Sequence, residues 1–189
     1  MPVDPASLRV RNYPDPILRR KAQPVELTDE VRAVARRMID LMHEHDGIGL
    51  AAPQVGLPWR LFVSYVPEAD KRSATSDPPT AELSPCIYLN PVLSNPAGPL
   101  TPYEEGCLSL PEITGVVLRQ DQITISATGL DGATFTRRAT GLLARCWQHE
   151  TDHLDGVLII DRMTQIHRMK NRTALKHLEA DWDAAHLRR

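Results

Sequence analysis

The segment His149-Glu150-Thr151-Asp152-His153 places two imidazoles four residues apart. On a helix that is one turn, so both side chains point from one face at the same ion while the Glu150 carboxylate stands beside it. In catalytic sites of this kind two histidines and a third protein ligand hold a metal, water takes the open position and the carboxylate serves as general base. The pattern also arises by chance, so a third ligand has to decide the reading. Cys146 lies on the same stretch, but ligands at 146 and 153 would sit roughly 10 Å apart along the axis at about 1.5 Å per residue. It is read as a small buried residue packed beside the site. Cys107 is the better candidate. In Glu105-Gly106-Cys107-Leu108-Ser109-Leu110-Pro111 the glycine allows unusual backbone angles and the proline stiffens the chain, as expected where backbone approaches a ligand closely. By composition alone, a lone cysteine there is more often core than ligand.

The elements that must hold these residues are legible from periodicity. A helix with Thr140 as N-cap runs through Leu142, Leu143, Cys146, Trp147, His149 and Glu150 to about Leu154, with Gly156 beyond its end. An earlier helix runs from about Thr28, with Val31, Val34, Ala35, Met38, Ile39, Leu41 and Met42 at helical spacing, and Gly47 ends it. The Gly/Ala/Pro-rich run 47–56 reads as an irregular loop. Strands are expected at 60–66, 86–90, 113–118 and 122–128. Asp131-Gly132 is a turn before a further run at 133–136, which makes an antiparallel meander. Residues 67–85, rich in Pro, Ser, Thr and acids, form an exposed excursion. The apolar run 157–160 looks strand-like. From Thr164 onward a polar helix is expected, with Ile166, Met169, Leu175, Leu178 and Trp182 as a sparse apolar stripe and basic residues in its first half.

Composition bounds the rest. With 189 residues, 42% hydrophobic and 24% charged, the chain fits a single domain over 1–189, with 164–189 as a C-terminal helical extension. A net charge of −2 gives no field that would favour nucleic acid or a membrane surface. No segment approaches the roughly 18 apolar residues that span a bilayer, and Met1-Pro2-Val3-Asp4 does not begin a leader. The chain is therefore expected to be soluble, with no membrane partner. Three cysteines, Cys86, Cys107 and Cys146, do not make a disulfide framework and favour an intracellular setting.

Three separated segments together resemble the signature of the peptide deformylase family, in the family's order: the loop Gly47 to Gly56, Glu105-Gly106-Cys107-Leu108-Ser109, and Gln148-His149-Glu150-Thr151-Asp152-His153. Arg11-Asn12-Tyr13-Pro14-Asp15-Pro16-Ile17-Leu18-Arg19 is similar to the family's N-terminal segment, so the resemblance runs from about Leu8 to Met163. It implies an α+β fold in which antiparallel strands pack around a central metal-binding helix, with an N-terminal and a C-terminal helix. It implies a metal-dependent hydrolase that removes the formyl group from the N-terminal formyl-methionine of nascent polypeptides. Cys107, His149 and His153 would bind the metal and Glu150 would be the acid/base. The Gln54 side-chain amide and the Leu108 backbone N–H would stabilise the oxyanion, because attack on the formyl carbon builds negative charge on its oxygen. Gly49 implies close backbone approach to substrate, and Ile48, Leu142, Arg145 and Cys146 are expected near an apolar pocket for the methionine side chain.

A Cys/His/His set is compatible with several divalent metals. The resemblance implies iron(II) in the cell, with zinc, nickel or cobalt as substitutes, a bacterial cytoplasmic location and ribosome contact through the C-terminal helix. One departure stands out. The family often has an arginine shortly after Cys-Leu-Ser that helps hold the peptide backbone, whereas this chain has Ile113, Thr114 and Gly115 before Arg119. Three rival readings remain: a zinc metallopeptidase drawing its third ligand from downstream, a silent metal-binding protein of the same fold, and thiol catalysis by Cys107 with His149.

Overall fold

The computed structural model describes residues 2–186. Its first long helix, α1 (Asp29–Glu44), begins where the sequence predicts. The Thr28 hydroxyl caps it by accepting the Val31 N–H at 3.3 Å, and Asp29 and Glu30 sit where the helix dipole favours negative charge. The apolar period buries Val31, Val34, Ala35, Met38, Leu41 and Met42.

Five strands make one antiparallel sheet whose spatial order is their order in the chain: β1 (Gly49–Ala51), β2 (Leu61–Ser64), β3 (Cys86–Cys107), β4 (Leu110–Thr128) and β5 (Thr134–Thr140). Successive side chains of a strand point to opposite faces. In β2, Leu61 and Val63 therefore pack with α1, while Phe62 joins Tyr88, Leu143 and Trp147 on the other face. Leu143 and Trp147 belong to α2 (Gly141–Leu154), a helix buried nearly all round. The sheet is thus covered by α1 on one side and α2 on the other, and the polar residues of α2 are held deep inside the molecule.

Several elements differ from the expectation. The strands expected at 86–90, 113–118 and 122–128 are pieces of the two long strands β3 and β4, paired from Leu89 with Thr128 to Cys107 with Leu110. Pro91, Pro96, Pro99 and Pro102 hide the continuation of β3 in the sequence. They are tolerated because β2 pairs only with residues 86–89, which leaves the rest of that edge without a strand, and because register shifts interrupt the ladder. Within 47–56 the chain is partly regular: β1 pairs with β2, and Ala52–Val55 form a 3-10 turn. The excursion 67–85 turns inward at its end. Glu82 is buried there, accepting hydrogen bonds from Ser64 Oγ at 2.8 Å, Tyr88 OH at 2.8 Å and Val66 N at 3.0 Å.

The run 157–160 leads into a helical turn, α3 (Ile159–Arg162), not a strand, because Asp161 accepts the Leu158 N–H at 2.9 Å and closes a capping interaction. The tail is two helices, α4 (Gln165–Lys170) and α5 (Arg172–His186). Asn171 at the break donates to Thr114 O at 2.7 Å and to His167 O at 2.9 Å. Leu175 and Leu178 pack onto Leu18, Ile113 and Val117, whereas Ile166 and Met169 are exposed. The last three residues of the extension expected at 164–189 lie outside the described residues.

Candidate active site

His149 and His153 project from one face of α2, and Cys107 ends β3 just before the Leu108-Ser109 turn into β4. Cys107 Sγ lies 3.2 Å from His153 Nε2, which lies 3.2 Å from His149 Nε2. The three ligand atoms fall within 4.8 Å of one another. A soft thiol and two imidazoles converging on one point suit a transition-metal ion, which would satisfy lone pairs that these groups cannot satisfy among themselves. Cys146 is not part of this group. It is buried, with Sγ directed to Ile48 O at 3.4 Å, and burial pushes its thiol well above the ordinary range.

Glu150 stands beside the histidines, 3% exposed, and its Oε2 has no hydrogen-bond partner. Burial raises its pKa to about 7, a range suited to proton transfer at neutral pH. Gly49 makes its position possible. A Cβ added there would lie 2.3 Å from Glu150 Oε1 and 2.7 Å from its Cδ. The close approach at Gly49 in this structure is therefore to the Glu150 side chain. Gly106, expected to adopt unusual angles, is an ordinary strand residue paired with Thr114; the left-handed residue of this hairpin is Glu112, with φ 64°.

Gln54 is buried in the 3-10 turn, where its Oε1 accepts the Ala51 N–H at 2.8 Å. That contact orients the amide nitrogen toward Cys107 Sγ at 3.5 Å and Ser109 Oγ at 3.2 Å. A cavity of about 480 Å³ opens over the group, and Gln54, Leu108, Cys107, His149 and Glu150 line it. Ile48, Gly49, Leu142, Arg145 and Cys146, singled out from the sequence, line it too. His153 sits behind, 1% exposed.

The sequence reading missed the charged scaffold behind the ligands. Glu105 Oε2 is 3.0 Å from His149 Nδ1, and Glu105 also accepts from Arg119 Nε at 2.7 Å and Arg145 Nη1 at 2.7 Å. Arg119 continues to Asp152 at 2.8 Å, and Asp152 to Arg162 at 2.7 Å. Burial opposes charge on Glu105, but hydrogen bonds from His149 and Arg119 hold its carboxyl well below the usual range. Burial opposes charge on His149 as well, yet hydrogen bonds to Cys107 and Glu105 raise its pKa to about 10. Burial and the neighbouring His149 push His153 the other way. A proton on this cluster occupies a lone pair that a metal would take. No local signal points to such a scaffold, since its members are scattered from 105 to 162; Glu105 and Asp152 lie inside recognised segments, each close to a candidate ligand, but nothing in the sequence says which distant residues they touch.

A downstream third ligand is not available in the way a zinc metallopeptidase would need. His167 Nδ1 is bonded to Thr164 Oγ1 at 2.8 Å, Asp155 pairs with Arg60 at 2.9 Å, and Asp161 pairs with Arg19. The donor set and the adjoining carboxylate are those of metal-dependent hydrolases as a class. A family model described as polypeptide deformylase matches residues 7–169. A peptide deformylase from Maricaulis maris is 41% identical over 179 residues, covering 93% of this chain and 97% of the relative. Among solved structures, peptide deformylase from Plasmodium falciparum superposes with a TM-score of 0.82 at 37% identity, covering 94% of this chain and 99% of the other. The Arabidopsis thaliana peptide deformylase 1B, solved in complex with an inhibitor, gives a TM-score of 0.84 at 34% identity, covering 95% and 94%. The chain belongs to the polypeptide deformylase family.

Proposed function

We propose that the cavity takes the N-terminal formyl-methionine of a newly made polypeptide and hydrolyses the formyl amide, releasing formate and a free amine. The observation that carries this is the convergence of Cys107, His149 and His153 beside a buried Glu150 with an unpartnered oxygen, all at one cavity. Cys107, His149 and His153 would hold a divalent ion, which would supply Lewis acidity when bound. Glu105, at His149 Nδ1, selects the tautomer that leaves Nε2 free to ligate. Glu150 takes the proton of the attacking water and returns it to the leaving amine. The Gln54 amide and the Leu108 N–H donate to the oxygen on which charge develops. Ile48, Leu142 and Cys146 receive the apolar side chain, and Gly49 keeps the floor clear for Glu150.

The reading is tested by formate release from formyl-Met-Ala-Ser by protein purified without oxygen, beside Glu150→Gln and a chelator-treated sample. Activity lost in both controls supports it; no activity in the metal-loaded parent overturns it in favour of a silent binding protein.

On the same reading the ion is iron(II) in the cell, replaceable by zinc, nickel or cobalt, and metal analysis of anaerobically purified protein decides this. The chain works as one domain with 164–189 as an extension, in a bacterial cytoplasm. Among the described residues no helix is long and apolar enough to cross a membrane. Arg168, Lys170, Arg172 and Lys176 are exposed on α4 and α5, three of them beside a groove of about 650 Å³ that also involves Met169 and Leu175. This supports ribosome contact through the C-terminal helices. Truncation after Met163 would strip Leu175 and Leu178 from the core, so glutamate at 168, 172 and 176 is the cleaner test: lost co-sedimentation supports the contact and unchanged co-sedimentation counts against it.

A further inference from the structure

The charged side chains lining the cavity divide by depth. Glu105 and Arg145 are buried and paired with each other, and His149 is hydrogen-bonded to Glu105. The two that reach solvent at the mouth, Asp46 and Glu104, are both acids. Asp46 follows the end of α1 in a left-handed conformation, φ 53°, and is held there by its N–H to His43 O at 3.1 Å and by the Gly47 N–H to Met42 O at 2.8 Å. Glu104 is placed by β3, opposite Val116 of β4, and accepts from Thr114 Oγ1 at 2.8 Å. No ion pair among the described residues involves either acid.

The cations that could neutralise this mouth are committed elsewhere. Arg119 is 6% exposed and bonded to Glu105 and Asp152. Arg145 is equally buried, with Nη2 on Thr101 O at 2.7 Å and Nη1 on Glu105. The residue that bonds Glu104 across the hairpin is the neutral Thr114, not a cation. Beside Glu104, Tyr103 is half exposed and lies over the Arg145 guanidinium at 5.4 Å, which leaves ring surface at the mouth. Glu150, buried and with an unpartnered oxygen, lines the same cavity as the exposed Asp46, Tyr103 and Glu104, so a chain with its amino end at Glu150 and its remainder in solvent has these groups in reach.

We propose that this mouth selects formylated chains with lysine or arginine directly after the methionine and disfavours those with acids there. The inference rests on the deformylase reading above. Two unneutralised carboxylates at the entrance of a confined cavity concentrate cationic substrate, and the aliphatic stem of lysine or arginine can lie along the Tyr103 ring with its charge near Glu104 and Asp46.

The test compares kcat/KM for formyl-Met-Lys-Lys, formyl-Met-Ala-Ser and formyl-Met-Glu-Glu with the metal-loaded enzyme at low and high salt. Binding of the product peptides Met-Lys-Lys and Met-Glu-Glu is measured by calorimetry alongside. The lysine peptide is expected to exceed the glutamate peptide by on the order of tenfold at low salt, with the ratio shrinking as the Debye length falls to about 3 Å near 1 M. The same ratio is expected to collapse toward one in the double variant Asp46→Asn, Glu104→Gln, and to fall in Thr114→Arg. Taking the ratio within each variant removes any general loss of activity. Turnover of the alanine-serine peptide with a lysine-to-glutamate ratio near one, or a ratio untouched in the double variant, overturns the inference and leaves the deformylase reading standing. No turnover of the alanine-serine peptide overturns both.

Discussion

Glu105 and His149 are joined by a 3.0 Å contact between Oε2 and Nδ1, and the same carboxylate holds two buried arginines, Arg119 and Arg145. One side chain therefore orients a proposed metal ligand and compensates two buried cations. Glu105→Gln keeps the shape and removes the charge. Metal affinity is expected to fall about 10- to 100-fold, and stability by about 3–5 kcal/mol because buried cations lose their counter-charge. Metal titration and urea unfolding check the two effects separately.

Gly49 and Glu150 make a steric prediction. In Gly49→Ala the new Cβ would meet the Glu150 carboxylate at 2.3 Å. The Glu150 Cγ is met too, at 2.9 Å, in a buried site, so the side chain must shift; kcat is expected to fall by about 100-fold from a misplaced proton carrier, with a smaller effect on the melting temperature. A large loss of stability with kcat preserved would contradict it.

The two thiols facing the cavity separate by metal content. Cys107→Ser is expected to lose the metal, whereas Cys146→Ser is expected to keep it, since Cys146 Sγ turns to Ile48 O. Metal stoichiometry after gel filtration decides, and equal loss in both would put Cys146 in the ligand set.

Removing the metal should also loosen the fold, because its ligands come from separate elements, β3 and α2. With free metal at about a thousand times Kd, linkage contributes about 4 kcal/mol. Calorimetric scans with and without chelator are expected to show a matching fall in melting temperature; an unchanged scan would place the metal outside the fold.

Glu82 gives a pH signature away from the centre. Burial raises its pKa above the ordinary carboxylate value. A group whose folded pKa is raised contributes stability that is fully present below its unfolded pKa and is lost as pH rises through the folded value. Relative to Glu82→Gln, the parent should therefore lose stability as pH rises from about 4 and level off above the folded pKa. Urea midpoints across that range test it, and a parent that gains on the variant with rising pH would refute it.

Features that depend on a few neighbouring residues were readable without coordinates. The period of α1, the Asp131-Gly132 turn and the His149/His153 pair all rest on interactions within one turn or one hairpin, where residue type alone sets the geometry. Glu105-Gly106-Cys107-Leu108-Ser109 could be recognised, but not what Glu105 touches. Tertiary structure decided that Arg119, Arg145 and His149 meet on that carboxylate, that Glu82 turns inward and that Gly49 is small for Glu150. It also decided that β3 runs on through four prolines, because only the absence of a neighbouring strand along its edge makes them harmless. Each of these depends on which distant segments pack together. Burial of a charge or a missing donor has no consequence until the partners that surround it are in place.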